Sequence, residues 1–287
     1  MLIVTGASGR LGYKIVENLL HHVPADRIGV SVRDPAKVAD FAARGIRVRQ
    51  GDYDDARSLR HAWEGAGRLL LVSSNAAAAG GDPLAQHATA INVARELGVD
   101  RVFYTSQISS SAASHFPPAR DHAATERMLA DSDLAWTALR HGFYAQSARQ
   151  MHARGFEAGT LAAPQDGKVA WTTHDDLAAL DAALLAGNEV IDGPTPPLTG
   201  GEALDLEDLA RLMSDFAGKE ISRVVISEKD FETGARRAGA HDGLIALLLG
   251  YYRAARAGEF AGVDPTLARV LGRAPERMSD FLAANSG

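Results

Sequence analysis

Short apolar runs alternate with amphipathic stretches through the first half of the chain. LIVTG (2–6) precedes a helical pattern over about 11–22. RIGVSVR (27–33) precedes DPAKVADFAARG (34–45), and IRVRQGD (46–52) precedes DARSLRHAWEGA (55–66). RLLLVSS (68–74) leads through a Gly/Ala-rich break to a helix near 83–97, and RVFYTS (101–106) through a loop to one near 119–131. AWTALR (135–140) closes the series as a sixth strand. Strands separated by single helices require right-handed crossovers, which builds a parallel sheet with helices on both faces. The prediction is an α/β domain, doubly wound, over 1–150.

The rhythm changes after about residue 144. GKVAWTTHDDLAALDAALLAG (167–187) reads as a short strand and a helix with Asp175 near its start, where a carboxylate accepts bonds from free N–H groups. A Pro/Gly turn, a capped helix, a further strand pattern and a helical tail follow. The 151–287 segment is expected to form a smaller α+β substrate lobe, with 169–187 packing back on the first domain.

The chain's 287 residues, 46% of them hydrophobic, support a substantial core. A formal net charge of −6, from 30 basic and 36 acidic residues with no long block of either sign, argues against a nucleic-acid surface. With no cysteine, disulfides and thiol catalysis are excluded, and a reducing cytoplasmic setting is expected. No apolar run approaches the roughly 20 residues that span a bilayer; LIALLLGYY (244–252) reads as part of a buried helix.

Chemistry concentrates where the predicted strands end. In TGASGRLG, Gly6 permits a tight turn, Gly9 lets the main chain approach a pyrophosphate, and Gly12 lets the helix lie close to the strand. The free N–H groups at that helix start favour phosphate, which assigns Ser8, Arg10 and Leu11 to the same loop. This is a Rossmann-type dinucleotide fingerprint. At the end of the second strand stands Arg33, with Lys37 one turn on, where an NAD-preferring protein usually carries a carboxylate for the ribose 2′-hydroxyl. NADPH/NADP is therefore preferred over NAD. Asp52 and Tyr53 are expected beside the adenine, Ser73, Ser74 and Asn75 along the middle of the cofactor, and Thr105, Ser106 and Gln107 facing the nicotinamide.

Tyr13, Tyr53, Tyr104, Tyr144, Tyr251 and Tyr252 are followed four residues later by Glu17, Arg57, Ile108, Ala148, Ala255 and Arg256. The Y-x-x-x-K dyad that protonates a ketone oxygen in short-chain dehydrogenases is thus absent. The ten histidines show no metal-ligand spacing, and no G-x-S-x-G elbow surrounds the SQISSSAASHF run. The pattern reads as a cofactor loop without metal or serine chemistry.

VTGASGRLG, VRDPAK, RQGDYDD, RVFYTSQ and HAATERMLADSDLAWTALRHGFY resemble the NmrA-like atypical short-chain dehydrogenases, and within them the quinone oxidoreductase type 2 and triphenylmethane reductase subgroup. The resemblance spans nearly the whole chain. It implies an NADPH domain, a small C-terminal lobe, and hydride passing directly from the nicotinamide to a quinone or similar electrophilic conjugated acceptor, with neither flavin nor metal. It also implies that His122, where relatives often carry Lys, bonds the nicotinamide ribose or supplies a proton. His141, Phe143 and Tyr144, after the sixth strand, are candidate substrate contacts, whereas Trp171 and His174 read as core. Two other functions share the same glycine loop: a non-catalytic NADP(H) sensor acting through a protein partner, and a reductase of a pathway-specific ketone, enone or imine. The expected partner is a small-molecule electron acceptor, and the chain is expected to be a monomer or homodimer.

Overall fold

The computed structural model describes residues 1–187 and 189–285. Its elements begin with β1 (Leu2–Thr5), α1 (Arg10–Leu19), β2 (Ile28–Val32), α2 (Ala39–Ala43), β3 (Arg47–Gln50), α3 (Ala56–Ala62) and β4 (Arg68–Leu71). Then come α4 (Pro83–Glu96), β5 (Arg101–Gln107), α5 (Pro117–Ala130), β6 (Trp136–His141), β7 (Phe143–Tyr144), α6 (Ala145–Ala158), β8 (Thr160–Ala163) and β9 (Trp171–Thr172). The chain continues through α7 (His174–Ala186), β10 (Gly193–Pro194), α8 (Leu206–Ala217), β11 (Ser222–Val225), α9 (Glu228–Arg237), α10 (Asp242–Arg256), α11 (Thr266–Leu271) and α12 (Met278–Ala284).

Two units result. The first comprises 1–107, 121–141 and 174–196, and the second 108–120, 142–173 and 197–287. The division does not fall at residue 150. The chain first enters the second unit at Ile108 and re-enters it at Gly142, where a Cβ would collide with Thr172 Oγ1 and approach the Ala170 carbonyl oxygen to 2.9 Å. Residues 174–196 return to the first unit as α7 and β10.

The first unit holds a seven-stranded sheet in the order β10-β6-β5-β4-β1-β2-β3, parallel throughout. Its central strands are nearly continuous apolar runs because both faces are covered. One face carries Trp63, Leu69, Leu71, Ile91, Val102, Tyr104 and Leu129 in a common core. Helix α1 buries Leu11, Ile15, Val16 and Leu19 on one stripe, and α7 packs against it. The 2.5 Å Lys14–Asp175 pair links these two helices at the surface, where such a pair is worth little.

The second unit pairs β8 with β11 and β7 with β9 in two small parallel sheets. Its core is aromatic: Phe143 lies 5.0 to 5.7 Å, centroid to centroid, from Phe116, Trp171, Tyr251 and Phe260. No helix among the described residues is long and apolar enough to cross a membrane.

Close approach of α1 to β1 depends on Gly12. A Cβ there would lie 2.6 Å from the Gly6 carbonyl oxygen and 2.9 Å from Ala7 Cα, both rigid backbone. Gly12→Ala is expected to lower unfolding stability by about 1–3 kcal/mol, the usual cost of overpacking. In contrast, Gly234→Ala, on α9 with nothing within 4 Å, should be neutral or stabilising. Denaturant unfolding of both variants checks the contrast.

Candidate active site

The carboxyl ends of the parallel strands define the site. Gly6 has a φ of +62°, a turn conformation that disfavours any side chain, and its carbonyl accepts from Gly9 N–H at 2.9 Å. Helix α1 begins after Gly9 with no side chain capping it. By contrast, Asp55 caps α3 and Asp82 caps α4. The first N–H groups of α1, those of Arg10, Leu11 and Gly12, are therefore left for a ligand, and the helix dipole favours a negative one. The residues fit a dinucleotide pyrophosphate.

At the end of β2, Asp34 turns inward on its own loop and accepts from Ala36 N–H at 3.1 Å. The Arg33 and Lys37 side chains are exposed and form no ion pair or hydrogen bond among the described residues. Arg33 does not pair with the neighbouring Asp34. Two exposed cations stand ready for an anion.

Deeper in the sheet the polar groups bind one another. Tyr53 was expected beside adenine, but its hydroxyl lies 2.6 Å from Thr5 Oγ1 and donates to the Val72 carbonyl at 2.8 Å. Burial raises its pKa. It braces β1 to β4. The Asp52 carboxylate accepts from Asp54 N–H and closes a local turn. Ser73 N–H donates to Thr105 Oγ1, and Ser74 Oγ donates to Gln86 Oε1 while accepting from Ala76 N–H, so Ser74 faces the protein. Asn75 is exposed.

Thr105, Ser106 and Gln107, expected to face the nicotinamide, are all buried. Ser106 Oγ donates to Glu126 Oε1 at 2.6 Å, and Glu126 holds Arg140 through two bonds of 3.0 and 2.6 Å. The two hydroxyls support the floor of the site. His141 is likewise inside, 1% exposed, with Nε2 2.9 Å from Asp181 Oδ1. Expected as a substrate contact, it is closed off from the surface here. Phe143 belongs to the aromatic core of the second unit, and Tyr144, half-buried, precedes α6.

His122 lies on α5 with Nδ1 2.8 Å from the Tyr104 hydroxyl. Burial, reinforced by the neighbouring His87 and His141, pushes its pKa down to about 3. The ring is therefore neutral at physiological pH, although part of its surface still reaches solvent. Tyr104 and His87, which contact this α5 face, went unrecognised in the sequence. The available signal was the spacing of His122, Thr125 and Glu126, which places all three on one helical face.

An open groove of about 700 Å³ runs along α1 from Ser8, Gly9 and Arg10 past Tyr13, Lys14 and Glu17. Only its first end touches the phosphate loop. Further along, Lys14 pairs with Asp175, Arg44 with Glu17 and Tyr13 with Asp40, leaving little to recognise a ligand. Among the described residues no cluster of His, Asp or Glu is arranged to hold a metal.

A family model described as NAD(P)H-binding matches residues 6–186. Quinone oxidoreductase 2 of Escherichia coli is 35% identical over 286 residues, 99% of this chain and 98% of the relative. This chain belongs to the NmrA-like NAD(P)H-binding oxidoreductases. The crystal structure of the NADPH-dependent E. coli quinone oxidoreductase with NADPH matches with a TM-score of 0.93 at 33% identity, covering both chains completely. The Citrobacter triphenylmethane reductase with NADP(H) matches with a TM-score of 0.89 at 26% identity, covering 99% of each chain.

Burial pushes His87, His152 and His174 down to about 4. Protons then bind the unfolded chain more readily than the folded one between about pH 4 and 6.5. Each group's stabilisation is complete above about pH 6.5 and is lost as pH falls toward 4, at up to about 1.4 kcal/mol per pH unit. Urea unfolding at pH 7.5, 6 and 5 should show a steadily falling midpoint; equal stability at pH 7.5 and 5 would contradict the neutral, buried imidazoles.

Proposed function

We propose that this chain is an NADPH-dependent reductase that passes hydride directly to a quinone or a similarly electrophilic conjugated acceptor. The observation that carries the reading is the uncapped start of α1 next to two unpaired cations, Arg33 and Lys37, at the end of β2. A pyrophosphate suits the first feature and a ribose 2′-phosphate the second. The E. coli and Citrobacter relatives, solved with NADPH and NADP(H), support it.

When bound, the dihydronicotinamide supplies a hydride. The residues of this chain bind, orient and steady. Main-chain N–H groups from Arg10 to Gly12 would hold the pyrophosphate, and the planar guanidinium of Arg33 would pair with the 2′-phosphate, with Lys37 adding charge. The Thr5–Tyr53–Val72 and Thr105–Ser73 bonds tie together the strand ends that would carry the cofactor. His122 offers the acceptor oxygen a polar contact at the surface of α5. A quinone is already activated, so no tyrosine–lysine dyad is needed to drive the reduction, in keeping with the absence of that dyad.

Arg33→Ala is expected to weaken NADPH binding roughly ten-fold or more, from loss of a charge-assisted bond, while leaving NADH binding almost unchanged. Calorimetry with both cofactors, alongside loss of NADPH absorbance with quinones, enones and a cationic dye, checks it. Equal losses for NADH and NADPH would contradict the 2′-phosphate contact. Tight NADPH binding without turnover of any acceptor would favour the sensor function instead.

A further inference from the structure

Two sets of hydrogen bonds, joined by a ring contact between His87 and Tyr104, lie against α5, and one of them ends at His122. Ser74 N–H donates to His87 Nε2 at 2.8 Å, so His87 carries its proton on Nδ1. That Nδ1–H meets Thr125 Oγ1 at 2.8 Å, while the Thr125 hydroxyl donates to the Asp121 carbonyl at 2.9 Å. The Thr125 proton is thereby committed. Tyr104, fully buried and packed edge-on against His87 with ring centroids 5.4 Å apart, places its hydroxyl 2.8 Å from His122 Nδ1. Burial raises the Tyr104 pKa, so its oxygen retains a proton to donate.

We infer that Tyr104 is a positioning residue: its hydroxyl donates to His122 Nδ1 and holds His122 as the Nε2–H tautomer, a fixed hydrogen-bond donor to the acceptor oxygen. Among the described residues the His122 ring makes its one hydrogen bond through Nδ1. The inference rests on the reductase reading of this site and assigns the part His122 plays in it. Hydride addition to a quinone turns one carbonyl oxygen into the oxyanion of a hydroquinone monoanion. The Nε2–H bond stabilises that charge as it develops, and water then delivers the proton that completes the hydroquinone. His122 begins and ends neutral.

Every element around the ring agrees with a neutral imidazole. His87 approaches from α4 and His141 from β6, and both disfavour a positive charge on His122. Tyr104 comes from β5 as a phenol. Glu126, one turn along α5, already accepts from Ser106 and Arg140 and is not placed to draw a proton onto the ring. His122 thus works as a dipole rather than as a proton carrier, and the reduction should show no acid limb from this group between pH 5 and 8.

Long-range proton–nitrogen correlation spectra of the ¹⁵N-labelled protein test the tautomer without any acceptor, with His122→Gln supplying the assignment. The expected pattern is a protonated Nε2 and an unprotonated Nδ1, unchanged from pH 8 to 5. Tyr104→Phe keeps the ring shape but removes the donor. It should introduce the Nδ1–H tautomer, move the His122 titration upward, and reduce kcat roughly ten-fold with NADPH affinity unchanged. His122→Leu should lose on the order of a hundred-fold in kcat, and His122→Gln, whose amide can donate, should recover part of it. A native Nδ1–H tautomer, a His122 titration near neutrality, or wild-type kcat and spectra in Tyr104→Phe would overturn the inference. Absence of turnover with every acceptor would instead overturn the reductase reading, while the spectra judge the tautomer independently.

Discussion

The close contact between the start of α1 and the Gly6–Ala7 backbone is the constraint on which the cofactor site depends. Gly12 allows it, because any side chain would press into the Gly6 carbonyl or the Ala7 backbone. Held there, α1 directs uncapped N–H groups across the end of β1 and buries Ile15, Val16 and Leu19 beneath it. Helix α7 covers the same helix from residues distant in sequence. The exposed, uncapped start of α1 is therefore a consequence of packing.

Around that contact the polar residues at the strand ends divide into two populations. Thr5, Tyr53, Ser74, Thr105, Ser106 and Glu126 bond to one another or to the main chain, which satisfies buried groups and stiffens the floor. Arg33, Lys37 and the outer edge of His122 keep their capacity for an external partner. Recognition at the rim and rigidity beneath it come from neighbouring residues, and neutral imidazoles at His87 and His122 add no net charge that would oppose a hydride donor.

The parallel sheet was readable because apolar runs and helical periodicity alternate regularly through residue 141, and the glycine spacing marks the phosphate loop by itself. Other features needed tertiary information. Asp52, Tyr53, Thr105 and Ser106 occur where a dinucleotide fold places ligand contacts, yet their side chains are engaged by partners from 2 to 48 positions away. His141 has the same character: Asp181, 40 residues later on the returning α7, makes it a buried pair. Local sequence gives the position of a residue along a strand, but the partner that captures its polar group comes from elsewhere in the chain. Phe143 was absorbed by an aromatic core assembled from four separate segments for the same reason.

The most direct test of hydride transfer at this site is single-turnover oxidation of NADPH carrying deuterium on one or the other face of nicotinamide C4, with flavin-free protein and a benzoquinone. Direct transfer predicts cofactor oxidation without added flavin and a primary isotope effect for only one of the two labelled cofactors. Oxidation that requires flavin, or tightly bound NADPH that no acceptor oxidises, would contradict it.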